Sequence, residues 1–85
     1  MEIRVKELIA IGASVTANCQ PCLQYHVSKA RENGATEEEI KEAIAVGKIV
    51  RKGAAGKMDR YASQVFEGTT AISDAPEEVD GCQLK

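Results

Sequence analysis

Apolar residues recur along this chain every three to four positions and nowhere alternate at period two, so the pattern predicts helices and no strand. Val5, Leu8, Ile9, Gly12 and Val15 share one face of a first helix from about residue 3 to about residue 17. Asn18 interrupts the pattern and suits the N-cap of the next helix. Pro21 fits only a first turn, where its missing N–H costs no hydrogen bond, so the second helix starts near residue 19 or 20. It ends at Asn33-Gly34, because glycine readily takes the left-handed conformation that closes a helix. Thr36 and Glu39 read as a capping box for a third helix with Ile40, Ala43, Ile44, Gly47 and Val50 on its apolar face. Lys48, Arg51 and Lys52 suit the negative end of that helix, and Gly53 and Gly56 mark a break. A fourth helix then presents Met58, Tyr61, Ala62, Val65 and Phe66 and stops at Gly68. The expected fold class is all-α, with about four antiparallel helices in a domain over residues 1–70. Residues 71–85, with Asp74, Glu77, Glu78 and Asp80, show no apolar period and read as a loosely ordered acidic tail.

Composition changes this picture in one respect. The chain has 85 residues, 44% of them apolar but rich in alanine, and only three aromatics, Tyr25, Tyr61 and Phe66. So small a core leaves a lone monomer short of buried surface, and a homo-oligomer that shares its core is expected. The formal charge is −2, with basic residues interspersed among acids, which leaves no footprint for nucleic acid. The apolar run Leu8-Ile9-Ala10-Ile11 is too short to cross a membrane and is followed by Gly12, Ser14 and Thr16. Only the ending Ser14-Val15-Thr16-Ala17 is reminiscent of a signal peptide. A cytoplasmic location is expected, where thiols stay reduced and cysteines act as catalysts or metal ligands rather than staples.

The candidate chemistry lies in Glu7, Cys19-Gln20-Pro21-Cys22 and His26. The thiolate is the nucleophile, and the first turn of a helix stabilises it through unpaired N–H groups and the positive end of the dipole. At this spacing the two sulfurs can close a disulfide after one is oxidised, which protects it from further oxidation. His26 follows Cys22 by four residues and so stacks on the same helix face, placed to move a proton near neutral pH. If the first two helices are antiparallel about residue 18, Glu7 lies roughly 16 Å from the turn and His26 roughly 11–12 Å. One helical turn separates them, a gap that a long side chain or a water spans, and a carboxylate there orients the ring.

The order Glu-x11-Cys-x-x-Cys-x-x-x-His resembles the signature of the alkyl hydroperoxidase D and carboxymuconolactone decarboxylase superfamily. The resemblance extends through Ala-Thr-Glu-Glu-Glu-Ile at 35–40 and the alanine-rich helix after it, covering most of residues 3–67. It implies an alkyl hydroperoxidase D-like helical fold, a trimer or hexamer, and a thiol peroxidase or disulfide reductase. By the same resemblance Cys22 attacks peroxide, Cys19 resolves it, His26 and Glu7 relay protons, and a thioredoxin-like or dihydrolipoyl protein supplies electrons. One departure favours dithiol exchange over hydroperoxide reduction. The best-known peroxidase members carry a second histidine just before the second cysteine, and Pro21, which stands there, moves no proton.

Other readings compete. Cys19, Cys22, His26 and Cys82 form a conceivable Cys3His zinc set, or ligands for an iron–sulfur cluster shared between subunits, although Cys82 sits in the expected tail. A lactone decarboxylase is a lesser alternative, since that branch does not depend on a Cys-x-x-Cys pair. Gly53-Ala54-Ala55-Gly56-Lys57 fails as a phosphate loop because Arg51 replaces the required glycine, Met58 follows the lysine, and no strand precedes it. Tyr25 reads first as a helix-packing aromatic and second as a residue lining the pocket. No nicotinamide or flavin fingerprint is present, so no cofactor is expected and electrons arrive through a thiol.

Overall fold

A computed structural model describes residues 1–68, and over that span it is all-helical. Helix α1 covers Ile3–Thr16, α2 covers Gln20–Glu32 and α3 covers Glu37–Glu67. The expected break at Gly53 and Gly56 does not occur. Residues assigned to separate third and fourth helices form one helix of 31 residues, so the described residues hold three helices rather than four. Each glycine costs about 1 kcal/mol against alanine inside a helix, a penalty that Ala54, Ala55 and the flanking Lys and Arg residues outweigh. The acidic tail and Cys82 lie outside the described residues. No helix among the described residues is long and apolar enough to cross a membrane.

The chain divides into two compact units, Met1–Lys48 and Ile49–Lys85. The first holds α1, α2 and the beginning of α3. Its core is Ile11, Ala30 and Ile40, ringed by Leu8, Leu23, Val27, Ala35, Ala43 and Ile44. The α3 face read from sequence is therefore the packed face as far as Gly47, whereas the α1 face is rotated from expectation. Ile11 is fully buried and Ile9 is 57% exposed. In the uninterrupted run Leu8-Ile9-Ala10-Ile11, periodicity alone does not say which side faces inward. In the second unit Met58, Tyr61, Val65 and Phe66, expected on a packed face, are exposed.

Small residues let α1 and the start of α3 come close. A Cβ on Gly47 would stand 2.5 Å from the Gly12 carbonyl oxygen and 2.8 Å from the Val15 Cβ, so only glycine fits. The Thr16 hydroxyl lies within hydrogen-bonding distance of Gly12 O (3.0 Å) and Gly47 O (3.1 Å), joining the two helices at the same point. At the start of α3 the predicted capping box forms. The Glu39 N–H donates to Thr36 Oγ1 and the Thr36 N–H to Glu39 Oε1, both at 3.0 Å. Arg4 of α1 adds a hydrogen bond from Nη1 to Glu39 Oε2 at 2.7 Å. The Thr36 N–H, and after it Arg4, hold the Glu39 carboxyl below the usual range. Arg31 does the same for Glu37.

Two predictions follow from these contacts. Gly47→Ala should lower stability by about 1–3 kcal/mol through overpacking, whereas Gly56→Ala, with no atom within 4 Å of the new methyl, should gain up to about 1 kcal/mol. Denaturant melts of both variants decide this, and an equal gain in the two would mean that the close approach is not formed. Because folding depresses the Glu37 and Glu39 pKa values, their stabilisation is complete above the unfolded value of about 4.3. It is lost as pH falls through the lower folded values. Glu39→Gln keeps a residue able to complete the box but removes the charge. Melting temperatures should therefore fall less on acidification than in the parent, and an unchanged acid profile would remove Glu39 from the account.

Candidate functional site

The site begins where α1 ends. Ala17 is the C-cap of α1, and Asn18 follows in the left-handed region at φ 58°. The Asn18 N–H donates to Val15 O (3.1 Å) and the Cys19 N–H to Ser14 O (3.0 Å), the paired hydrogen bonds of a Schellman motif. The N-cap of α2 is Cys19, not Asn18 as the sequence suggested. The Cys19 carbonyl accepts the Leu23 N–H at 3.0 Å, the first hydrogen bond of the new helix. Pro21 occupies the opening turn as expected, and the Cys19 side chain makes no capping hydrogen bond.

Cys19 and Cys22 are joined by a disulfide with their Cα atoms 5.3 Å apart, within the usual range for such a bond. Both are partly exposed. One turn further along α2, His26 meets Glu7 of α1, with Nδ1 2.6 Å from Oε1. The pair is shielded without being sealed, at 28% and 19% side-chain exposure. An ionised carboxylate only accepts hydrogen bonds, so Nδ1 carries the proton and donates it to Glu7. The neutral ring then keeps its basic lone pair on Nε2. The Tyr25 ring stands edge-on to the imidazole, with centroids 5.0 Å apart and planes at 81°. Tyr25 is thus a half-exposed neighbour of the site rather than the packing aromatic expected, and Lys29 Nζ lies 5.7 Å from its centroid. An open groove along α2 is lined by Pro21, Gln24, Tyr25, Ser28, Lys29 and Glu32.

All four site residues named from sequence therefore fall on α1, α2 and the turn joining them. The structure joins Cys19 to Cys22 and Glu7 to His26, and places Cys22 and His26 four residues apart on one helix. Sequence reasoning missed the roles of Asn18 and Ser14 in setting Cys19. The signal was available, since asparagine is the commonest residue after glycine to end a helix in the left-handed region. Among the described residues no group of three or more His, Cys, Asp or Glu side chains is arranged to hold a metal ion. The fourth member of the conceivable zinc set, Cys82, lies outside them.

Known proteins resemble this chain in sequence. The chain is 44% identical over 55 residues to "Uncharacterized protein 4 in cox locus" of Paracoccus denitrificans, covering 65% of this chain and 50% of that protein. It is 40% identical over 69 residues to an uncharacterized protein of Cupriavidus necator, covering 81% of this chain and 58% of that one. The chain thus spans little more than half the length of these relatives. No solved structure matches it significantly. Residues 2–67, which contain every residue of the site, match the carboxymuconolactone decarboxylase family, and the chain belongs to that family.

Proposed function

We propose that this chain is a thiol-dependent oxidoreductase in which Cys19 and Cys22 cycle between dithiol and disulfide while His26, held by Glu7, moves the protons. The observation that carries this reading is the conjunction of a Cys19–Cys22 disulfide at a helix start with a carboxylate-bound imidazole one turn away. In the reducing direction His26 Nε2 takes the Cys22 proton, and the Cys22 thiolate attacks one sulfur of a substrate disulfide. One substrate thiol leaves with a proton and a mixed disulfide remains. Cys19 then attacks the Cys22 sulfur, releasing the second thiol and closing the Cys19–Cys22 bond. A hydroperoxide enters the same cycle: Cys22 takes its terminal oxygen as a sulfenic acid, an alcohol leaves, and Cys19 displaces water. Disulfide exchange is the better supported of the two, because Pro21 offers no second proton donor beside Cys22. Electrons return from a thioredoxin-like or dihydrolipoyl protein, with no bound cofactor.

A homo-oligomer completes the proposal. Ala54, Met58, Tyr61 and Val65 follow one another at spacings of four, three and four, the repeat with which one helix packs along another. Met58, Tyr61 and Val65 are each more than half exposed. A second copy presents the same stripe, and burying it supplements a core of few residues.

Two measurements test these readings. Reduced protein treated with one equivalent of a small disulfide should lose two hydrogens, mapped by mass spectrometry to Cys19–Cys22. Cys22→Ser should abolish turnover, Cys19→Ser should trap the mixed disulfide, and His26→Asn should slow exchange by about a hundredfold. Turnover that survives Cys22→Ser would overturn the assignment. Tyr61→Glu should shift the mass found by light scattering to that of one chain, and an unchanged mass would take this stripe out of the subunit interface.

A further inference from the structure

Asn18 is the one non-glycine residue among the described residues with positive φ, and it directly precedes a cysteine of the disulfide. The same backbone motif closes α2, where the Gly34 N–H donates to Arg31 O (3.2 Å) and the Ala35 N–H to Ala30 O (3.0 Å). There the left-handed position is glycine, at φ 91°, which enters that region without steric cost. At the first turn a side chain is accepted, and the residue that follows has three tasks. Cys19 ends α1 through its N–H, starts α2 through its carbonyl, and carries one sulfur of the disulfide.

We infer that Asn18 is a positioning residue for the redox couple: its left-handed conformation sets Cys19 against Cys22 and so raises the tendency of the two thiols to form a disulfide. This rests on the redox reading above and concerns the equilibrium of that same couple. In the disulfide form the Cys19–Cys22 ring holds the turn closed covalently. In the dithiol form the turn keeps the two Schellman hydrogen bonds and the Asn18 backbone preference without that covalent closure. By reciprocity, whatever favours the closed turn favours the disulfide by the same factor. A residue that resists the left-handed region lets the reduced turn open and disperses the two sulfurs. Asparagine tolerates that region, glycine enters it freely and a β-branched residue opposes it.

The test compares wild type with Asn18→Gly, Asn18→Ala and Asn18→Val in buffers of reduced and oxidised dithiothreitol, with rapid alkylation and intact-mass analysis. Disulfide formation removes two electrons and two protons from the Cys19 and Cys22 thiols and passes them to oxidised dithiothreitol, whose own disulfide opens to the dithiol. Asn18→Val should lower the equilibrium constant for forming the Cys19–Cys22 bond about tenfold, a rise in reduction potential of about 30 mV. Asn18→Ala should move it the same way by less, and it serves if the valine variant does not fold. Asn18→Gly should keep the wild-type value. Melting temperatures of both redox forms supply the control, and the valine variant should destabilise the oxidised form more than the reduced one. An unchanged potential, with both forms destabilised equally, would make Asn18 merely structural and overturn the inference. Absence of a reversible couple in wild-type protein would overturn the redox reading as well, so the two failures are distinguishable.

Discussion

Cys19 is shared by two helices, and the geometry of the site follows from that sharing. Its N–H is committed to Ser14 O of α1 and its carbonyl to the Leu23 N–H of α2, so neither helix can slide along the other without breaking one of these bonds. The chain reverses within three residues, and the register between α1 and α2 is thereby set. With that register fixed, residue 7 on the way in and residue 26 on the way out come to nearly the same height. Counting along the two helices leaves an offset of about one turn, and the side chains of Glu7 and His26 close it to a 2.6 Å contact.

Around this turn the packing is economical. Among the described residues Ile11, Val15, Ala30 and Ile40 are the buried apolar ones, and of the larger side chains there Ile11 alone has no exposed surface. Where side-chain volume is scarce, close backbone approach does more of the joining, as at Gly12 and Gly47, where Thr16 adds its hydroxyl. Dispersion contacts between backbones at that distance replace those that larger side chains make elsewhere. The same scarcity is the ground on which a second copy is proposed to cover the exposed stripe on α3.

The helical class, the capping box at Thr36 and Glu39, the end of α2 at Gly34 and the placement of Cys19, Cys22 and His26 along the start of α2 were legible in the sequence, because each rests on local spacing. Glu7 and His26 were the hardest to join, since they meet across two helices. Glu7 was singled out by the spacing it shares with the resembled family, and counting along two helices joined at one short turn then put it about one helical turn from His26. Three readings failed for physical reasons. Gly53 and Gly56 are unfavourable in a helix but do not break one whose other residues favour it. Ile9 and Ile11 differ in burial although the local pattern treats them alike, because the choice is made by what packs against α1. Asn18 has two legitimate uses, opening a helix through its side chain or closing one in the left-handed conformation. Both place it between helices, and only the backbone hydrogen bonds of Asn18 and Cys19 distinguish them.

The orientation of the imidazole has a chemical consequence. Glu7 accepts from Nδ1, and a carboxylate has no proton to give back, so Nδ1 keeps its hydrogen whether the ring is neutral or charged. In the proposed cycle, protons exchanged with substrate or thiol pass through Nε2, and the ring need not turn over between steps. Tyr25, edge-on to the same ring, opposes such a turn. A free imidazole would lose time among tautomers and rotamers. Held from α1 by Glu7 and flanked on α2 by Tyr25, His26 presents one nitrogen to one side, on the helix that also carries Cys22. The short turn at Asn18 carries Cys19 and, by joining α1 to α2, places the Glu7 carboxylate against the His26 ring.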